Sequence, residues 1–363
     1  MGIHTFISRK KMLAFISLLT VSLALFIIKG FSDNISYLRN RYEPSTMRNV
    51  PKNKNTKMPG SLSVEDIQHK RRSHLRETCE RLGAKKYSEI VDRLDADTLK
   101  KAGNIFVLDK YKTIFCYVPK TGCTTWKRML LLLNGNINAT EDISHEAVHY
   151  MAFEHIPTLR TFNLKDAQER LTNYSKFVFV REPFSRILSA FRDKFEVNNP
   201  IKNHYAPRMV KKSKNSGKTK DKNINVTFGN FVDYVSDPWN VLGDPAEEHW
   251  REMFRLCSPC QVPYDYIGHF ETFKEDFRDS MQQITKGDNI MIPEPSNPTN
   301  SSRSAIFDKY YSQLSSLQLE SLYKRLATDI ELFNYQVPAS IENRMNTSYS
   351  IWDSTDEKKE HHE

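Results

Sequence analysis

The chain has 363 residues, of which 39% are hydrophobic and 27% are charged. This balance excludes a disordered polymer and a membrane protein with many spans, and the 12 glycines exclude a collagen-like chain. The formal net charge is +9, but residues 1–60 alone carry ten Lys and Arg against two acidic residues. Because the rest of the chain is close to neutral, the charge argues against a nucleic-acid-binding protein, whose basic surface should lie on the folded body.

An apolar segment near the N-terminus predicts a membrane anchor. Residues 12–28 form an uncharged, almost wholly apolar run of 17 residues that follows Arg9, Lys10 and Lys11. Such a run can cross a bilayer as one helix, and the preceding positive charges favour a cytosolic N-terminus. A cleaved signal peptide is the alternative, but no small-residue cleavage site follows. We therefore expect a single-pass type II protein with a cytoplasmic tail at 1–11 and an anchor at 12–28.

The remainder divides into a stem and one folded domain. Residues 29–70 are polar and contain three prolines, so we expect a flexible stem there, followed by a lumenal domain at 71–340 and a tail at 341–363. Six N-x-S/T sequons, at Asn34, Asn138, Asn173, Asn225, Asn300 and Asn346, favour a lumenal body. Five cysteines in an oxidising lumen allow at most two bridges and leave one thiol; for Cys257-Ser-Pro-Cys260 a structural role is favoured over a zinc site.

The pattern of apolar residues predicts alternating strands and helices. Strands are expected at 105–108, 113–118 and 176–180, and helices at 64–82, 129–133, 164–171, 183–195, 228–235, 247–256, 273–284 and 315–333. Residues 198–225 are rich in lysine and are expected to form a loop. Strands that alternate with helices indicate an α/β fold with a mostly parallel central sheet flanked by helices.

The first candidate site follows the second strand. The segment Pro119-Lys-Thr-Gly-Cys-Thr-Thr125 joins this strand to a helix and combines Lys120 and Gly122 with three threonine hydroxyls. Backbone N–H groups at a helix N-terminus, together with a lysine, bind phosphate-like groups. The segment is not a Walker A loop, and an ordinary strand–helix turn with a surface lysine remains an alternative.

A second candidate site follows the strand at 176–180. Arg181 ends this strand, Pro183 begins a helix, and Ser189 lies two turns into it. Arginine binds phosphate through two parallel hydrogen bonds, although Arg181 and Glu182 could also form a salt-bridged helix start. Two such sites on one sheet predict a ligand with two separated anionic groups.

These two segments resemble the sulfate-donor-binding segments of carbohydrate sulfotransferases, which use 3′-phosphoadenylyl sulfate (PAPS). They are most similar to the Golgi chondroitin/dermatan and N-acetylgalactosamine 4-O-sulfotransferase group. Glu248-His-Trp250, Cys257-Ser-Pro-Cys260 and residues 264–272 and 329–335 also resemble it. The resemblance covers residues 75–338 and implies a P-loop-like sulfotransferase fold, preceded by an anchor and a stem. One departure is Ser185, where glutamate is frequent in the family.

The resemblance also implies which residues bind PAPS. Lys120 is expected to neutralise the leaving phosphate as a catalytic residue, and no metal is required. The residues expected to bind PAPS are Pro119, Lys120, Thr121, Gly122, Cys123, Thr124 and Thr125 in the first segment, and Arg181, Glu182, Pro183, Phe184, Ser185, Arg186, Ile187, Leu188 and Ser189 in the second.

The acceptor hydroxyl requires a general base, which we expect to be a histidine. His145, His149 and His155 lie in the interval where related enzymes carry one, and His155 is favoured; His249 is the main rival. A packing or surface role is the alternative for each of them.

The function implied is transfer of the sulfuryl group of PAPS to O-4 of N-acetylgalactosamine in chondroitin or dermatan, in the Golgi membrane. The alternatives are another acceptor (a uronic acid or a terminal N-glycan sugar), a non-catalytic glycan-binding relative and a lumenal kinase. The absence of a Walker A loop argues against the kinase. Residues 202–222, with eight basic residues and one acid, are either a solvated loop or a binding surface for a polyanionic glycosaminoglycan.

Overall fold

The structure is a computed structural model that describes residues 62–83, 99–100, 102–197, 199–211, 224–237, 247–286 and 303–345. The predicted anchor at 12–28, most of the stem and most of the C-terminal tail lie outside these residues. In the described part of the chain, no helix is both long and apolar enough to span a bilayer.

A central sheet of four strands organises the described residues. The strands are β1 (Ile105–Leu108), β2 (Thr113–Cys116), β3 (Ser175–Val180) and β4 (Tyr266–His269). They lie in the order β1-β2-β3-β4; β1 is antiparallel to β2, whereas β2, β3 and β4 are mutually parallel. The α/β class is thus confirmed, with a mixed sheet in which two of the three pairings are parallel.

Helices cover the sheet on both faces. Those described are α1 (Val64–Arg81), α2 (Cys123–Leu133), α3 (His145–His155), α4 (Leu164–Asn173), α5 (Pro183–Phe195), α6 (Pro200–Lys211), α7 (Phe228–Ser236), α8 (Met253–Cys257), α9 (Phe273–Thr285), α10 (Ser304–Tyr311), α11 (Ser316–Leu332) and α12 (Ala339–Glu342).

The sheet has one aromatic face and one aliphatic face. Alternation along β3 places Phe177 and Phe179 in a cluster with Phe115 of β2 and with residues of helices α2, α3 and α9. Val178 and Val180 point to the opposite face, where they pack with residues of α1, α4 and α8. A third cluster lies among α5, α6, α7, α10 and α11. The position of α5 is therefore set from both sides, by the sheet edge where it begins and by this helical cluster.

A helix begins within residues 29–70, the segment that was expected to be stem. The compact unit starts at Leu62, and α1 starts at Val64. Ser63 caps α1: its hydroxyl accepts a hydrogen bond from the Asp66 backbone, and the Asp66 carboxylate accepts one from the Ser63 backbone. This reciprocal cap fixes the helix start within the segment that was expected to be stem.

Two further expectations are corrected. The predicted loop at 198–225 contains α6, because Tyr205, Ala206 and Met209 are buried on one side of a helix that the surrounding lysines conceal in the sequence. Residues 212–223 of this segment lie outside the described part.

Instead of the helix expected at 247–256, the structure has only the short α8. Arg186 binds the carbonyls of Glu248 and Arg251, which would accept backbone hydrogen bonds in a continuous helix.

Two disulfides join distant parts of the fold. Cys79 of α1 is bonded to Cys260, and Cys116 at the end of β2 is bonded to Cys257 of α8. Cys123 is a free thiol. The structure therefore confirms two bridges with one cysteine left over, and it gives the Cys257–Cys260 pair a structural role.

The parallel pairings bring three strand ends to one edge. Cys116 is aligned with Val178, and Val178 with Ile267, so β2, β3 and β4 point the same way. The segments that leave this edge are the loop to α2, the start of α5 at Arg181 and the turn Phe270–Thr272 before α9. Both predicted anion-binding segments are therefore neighbours in space.

Candidate functional site

The loop between β2 and α2 is tightly bent. Lys120 has a φ of 74° and Gly122, the N-cap of α2, has a φ of 85°, both in the left-handed region. A Cβ atom at Gly122 would lie 2.3 Å from the ring of Phe273. Glycine is therefore required here for its backbone conformation and for the close approach of α9.

Two buried arginines hold this loop. Nη1 of Arg181 donates to the Lys120 carbonyl at 3.0 Å, and Nε of Arg186 donates to the Pro119 carbonyl at 3.0 Å. Arg186 also donates to the carbonyls of Arg251 and Glu248, at 2.8 and 3.2 Å. The guanidinium of Arg186, which was predicted to bind the sulfate donor, thus binds three backbone carbonyls, one of them in this loop.

The side chain of Lys120 is paired with Asp193 of α5. Lys120 Nζ lies 3.0 Å from Asp193 Oδ2, and Lys194 Nζ lies 3.0 Å from the same oxygen. Burial lowers the pKa of Lys120, and the charge of Asp193 opposes this shift. Burial alone would raise the pKa of Asp193, but the two lysines hold it at about 2. The predicted catalytic lysine thus has a permanently ionised partner at neutral pH.

Arg181 lies at the second strand end and is only 3% exposed. Its guanidinium stacks 4.3 Å from the ring centroid of Phe270, and burial lowers its pKa to about 10. Glu182 caps α5 by accepting from the backbone N–H groups of Phe184 and Ser185. The Glu182 carboxylate therefore caps the start of α5, while Arg181 donates to the first loop.

The remaining predicted donor-binding residues fall into two groups. The side chains of Phe184, Ile187 and Leu188 belong to the helical core cluster, so only their backbone can face a ligand. Pro183, Ser185, Ser189, Thr121 and Thr125 are also buried, and the Thr121 hydroxyl donates to the Val118 carbonyl. Gly122, Cys123 and Thr124 are only partly buried at the start of α2.

A histidine from α3 joins this site. His149 Nε2 lies 3.3 Å from Thr124 Oγ1, and His149 Nδ1 lies 3.2 Å from Lys127 Nζ. The rings of His149 and His145 meet at 5.4 Å, edge to face. His145 interacts electrostatically with both Asp193 and Lys120. Two of the three histidines expected to supply the base are therefore close to the first loop.

His155, the favoured base, lies elsewhere. It is the exposed last residue of α3, and its carbonyl accepts a hydrogen bond from Asn134, which caps the C-terminus of α2. Asn134 follows Thr124 by ten residues, about 15 Å along a helix. The structure therefore brings His145 and His149, rather than His155, to the start of α2.

His249 also approaches the cluster. Its Nδ1 lies 2.6 Å from Glu247 Oε1, and it interacts electrostatically with His149. Glu247, Glu248 and His249 together offer ligand atoms within 4.8 Å of one another. The carboxylates of this group already have hydrogen-bond partners: the Tyr117 hydroxyl donates to Glu248, and Glu247 contacts His249.

Two residues that contact the candidate site, Asp193 and Lys127, were not among the predicted site residues. Asp193 could have been found from its position ten residues after Pro183, on the helix that begins beside Arg181. Nothing in the sequence indicates that Lys127 is buried.

Comparison with known proteins identifies the family. The sequence model of the sulfotransferase family matches residues 103–336, which include both candidate segments and all four strands. The chain belongs to the sulfotransferase family. This finding confirms the resemblance that the two loop segments carry.

Curated relatives of the family cover much of the chain. It is 34% identical over 281 residues to human carbohydrate sulfotransferase 9 (76% of this chain, 61% of the relative) and 34% identical over 288 residues to mouse carbohydrate sulfotransferase 8 (77% and 66%). It is 35% identical over 247 residues to Xenopus laevis carbohydrate sulfotransferase 10 (64% and 68%). The chain thus spans somewhat less than two thirds of the first two relatives. No solved structure gives a significant match.

Replacement of Gly122 tests the packing of the first loop. Gly122→Ala should lower Tm more than Gly135→Ala, measured by thermal unfolding. Both substitutions place alanine at a positive φ, at a cost of about 1–2 kcal/mol, but only the one at Gly122 also displaces Phe273. Equal shifts in Tm would contradict the close approach of α9 to the loop.

Proposed function

We propose that the protein transfers the sulfuryl group of PAPS to a glycan hydroxyl, most specifically O-4 of N-acetylgalactosamine in chondroitin or dermatan. The observation that carries the proposal is the hydrogen bond from Arg181 to the Lys120 carbonyl, which joins the two anion-binding segments at one sheet edge. The names of the relatives, which are carbohydrate sulfotransferases of several types, support a glycan acceptor.

The residues of the first loop suit a phosphosulfate. The backbone N–H groups at the start of α2 have no partners within the first helical turn, and they point along the positive end of the helix dipole. Lys120 adds a cation whose present partner is a carboxylate, so an anionic oxygen can take the place of that carboxylate. In this assignment Lys120 neutralises the charge that develops on the leaving phosphate.

The second segment suits the 3′-phosphate. Arg181 has a buried guanidinium and Ser189 lies two turns along the helix that Arg181 precedes. Arg181 has one nitrogen on the Lys120 carbonyl, so a phosphate bound by Arg181 is coupled to the conformation of the first loop. We expect this coupling to favour a nucleotide with a 3′-phosphate over one without it.

His145 is our candidate for the general base in this mechanism. It lies near Lys120 and Asp193, and its pKa is lowered from 6.5, chiefly by burial, although Glu146 and Asp193 raise it. A lowered pKa keeps the imidazole neutral at pH 7, as a base requires. His145 would accept the proton of the acceptor hydroxyl as the oxygen attacks sulfur, while the S–O bond to the phosphate breaks.

Sulfuryl transfer is tested directly with labelled donor. The protein is incubated with ³⁵S-labelled PAPS and desulfated chondroitin, dermatan, heparosan and N-glycan acceptors, and disaccharide analysis locates the new ester. We expect label on N-acetylgalactosamine of chondroitin or dermatan. Label on another sugar would support a different acceptor, and binding without turnover would support a non-catalytic glycan-binding protein.

Lys120 has a matched control in Lys194, because both ammonium groups contact the same oxygen of Asp193. Lys120→Ala should lower kcat by about 10²–10³, the usual effect of removing a charge-stabilising donor. Lys194→Ala should have a much smaller effect. Steady-state kinetics with both variants checks this, and similar losses would refute a specific role for Lys120.

The base assignment predicts an acid limb in the pH profile. Because the neutral form of His145 is active and burial lowers its pKa from 6.5 in the free protein, kcat/KM should be constant near pH 7 and fall only at more acidic pH. His145→Asn should lower kcat by about 10²–10⁴. His155→Asn is the control and should be nearly as active as the wild type; a large loss there, or in His249→Asn alone, would transfer the role to that histidine.

We also propose a Golgi location, as a type II membrane protein with a lumenal domain. Two disulfides suit an oxidising compartment, and the sequon residues Asn138, Asn173 and Asn225 are exposed. Peptide mapping of the full chain from animal cells should find both bridges and N-glycans on these residues. A reduced and unglycosylated protein would contradict a lumenal domain.

A further inference from the structure

Lys127 is a buried lysine in the second turn of α2. It is 1% exposed, and its Nζ lies 4.0 Å from the ring centroid of Tyr117 and 4.6 Å from that of Phe153. Within the described residues no carboxylate forms a salt bridge with it. Burial lowers its pKa, whereas the charges of Cys123 and Glu248 raise it. The two aromatic faces stabilise its ammonium form, as in other cation–π pairs.

The ammonium form of Lys127 determines the tautomer of His149. An ammonium group only donates hydrogen bonds, so His149 Nδ1, 3.2 Å away, must accept one. In a neutral imidazole the proton then resides on Nε2. Burial, followed by the charge of Lys127, lowers the pKa of His149 to about 3, so the ring is neutral at physiological pH.

The same tautomer orients the hydroxyl of Thr124. His149 Nε2–H donates to Thr124 Oγ1 over 3.3 Å. A hydroxyl has one proton to donate, and His149 in this tautomer cannot accept it through Nε2. Thr124 is the second residue of α2, where the backbone N–H groups also lack helical partners. Its proton is therefore available to an anion bound at the start of the helix.

We infer that Lys127 and His149 are positioning residues, which fix the Thr124 hydroxyl as a hydrogen-bond donor to the phosphosulfate of the sulfate donor. The inference rests on the proposed function and assigns His149 a role other than general base. Lys127 donates to His149, His149 donates to Thr124, and Thr124 donates to the ligand. No proton is transferred along this series of hydrogen bonds.

Glutamine separates the positioning role from that of a base. In His149→Gln the amide oxygen can accept from Lys127 while the amide nitrogen donates to Thr124, but the amide cannot take up a proton. We expect His149→Gln to keep kcat/KM for PAPS within about threefold of the wild type. His149→Phe should lower it about tenfold, the equivalent of one lost hydrogen bond near 1.4 kcal/mol. A kcat/KM for PAPS of His149→Gln as low as that of His149→Phe would overturn the inference.

A double-mutant cycle tests whether His149 acts through Thr124. Thr124→Val removes the hydroxyl that the hydrogen bonds from Lys127 and His149 orient. Adding His149→Phe to Thr124→Val should therefore cause no further loss in kcat/KM. Adding Lys127→Met to Thr124→Val should likewise cause no further loss in kcat/KM. Losses that multiply would show that His149 and Lys127 act independently of Thr124. Thermal unfolding of each variant identifies any that fail to fold.

A measurement on the unsubstituted protein avoids dependence on folding of the variants. With ¹⁵N-histidine labelling, and His149→Gln used to assign the signal, His149 should show a protonated Nε2 and an unprotonated Nδ1 at pH 7. A protonated Nδ1 or an imidazolium would overturn the inference. If the proposed function is wrong, the wild type will transfer no ³⁵S from labelled PAPS. That result is separate from the tautomer measurement and does not affect it.

Discussion

The candidate site depends on two guanidinium groups buried beneath a single loop. Arg181 and Arg186 each bind one carbonyl of the β2–α2 loop, those of Lys120 and Pro119. Burial lowers the pKa of each arginine to about 10, which still leaves both charged at neutral pH. Burying a charge is costly unless it is compensated, and here backbone carbonyls and nearby carboxylates supply the compensation. The positive φ values at Lys120 and Gly122 persist because these bonds hold the loop carbonyls in place.

The charge balance at the loop explains how it can accept an anion. Asp193 is shared by Lys120 and Lys194, so the cluster carries excess positive charge before any ligand binds. An anionic ligand that displaces Asp193 from Lys120 leaves Asp193 paired with Lys194. Neither Lys120 nor Asp193 is then left without an opposite charge, which avoids the large cost of an unpaired ion in a desolvated site.

Strands β1, β2 and β3 and the two candidate segments could be predicted from the sequence because their signals are local, whereas β4 was not predicted. Alternation in β3 and the proline at the start of α5 define strand, loop and helix within one short segment, and α5 has the predicted bounds. In parallel strands the carboxyl ends share an edge, so the proximity of Lys120 and Arg181 follows from the fold class. The helix α3 was missed because only Val148 and Ala152 of it are buried, which leaves little apolar periodicity.

The parts of the site that the sequence did not predict depend on contacts between elements. Whether Lys127 is buried depends on how Phe153 of α3 and Tyr117 cover it, and charge alone indicates a surface position. Which of the histidines lies at the site also depends on contacts between elements. His145, His149 and His155 are on one helix, but the packing of α3 against α2 decides which of them approaches Thr124 and which approaches Asn134.

The ring nitrogens of these histidines then separate their roles. His149 has both nitrogens engaged by Lys127 and Thr124, so it suits positioning. His249 has Nδ1 on Glu247, which leaves Nε2 for another partner. Within the described residues the ring of His145 contacts His149 edge to face without a hydrogen bond, and His145 is the one that interacts with Lys120. A base must have an unprotonated nitrogen close to the reacting group, and this requirement is the reason that the proposed mechanism assigns the base to His145 and positioning to His149.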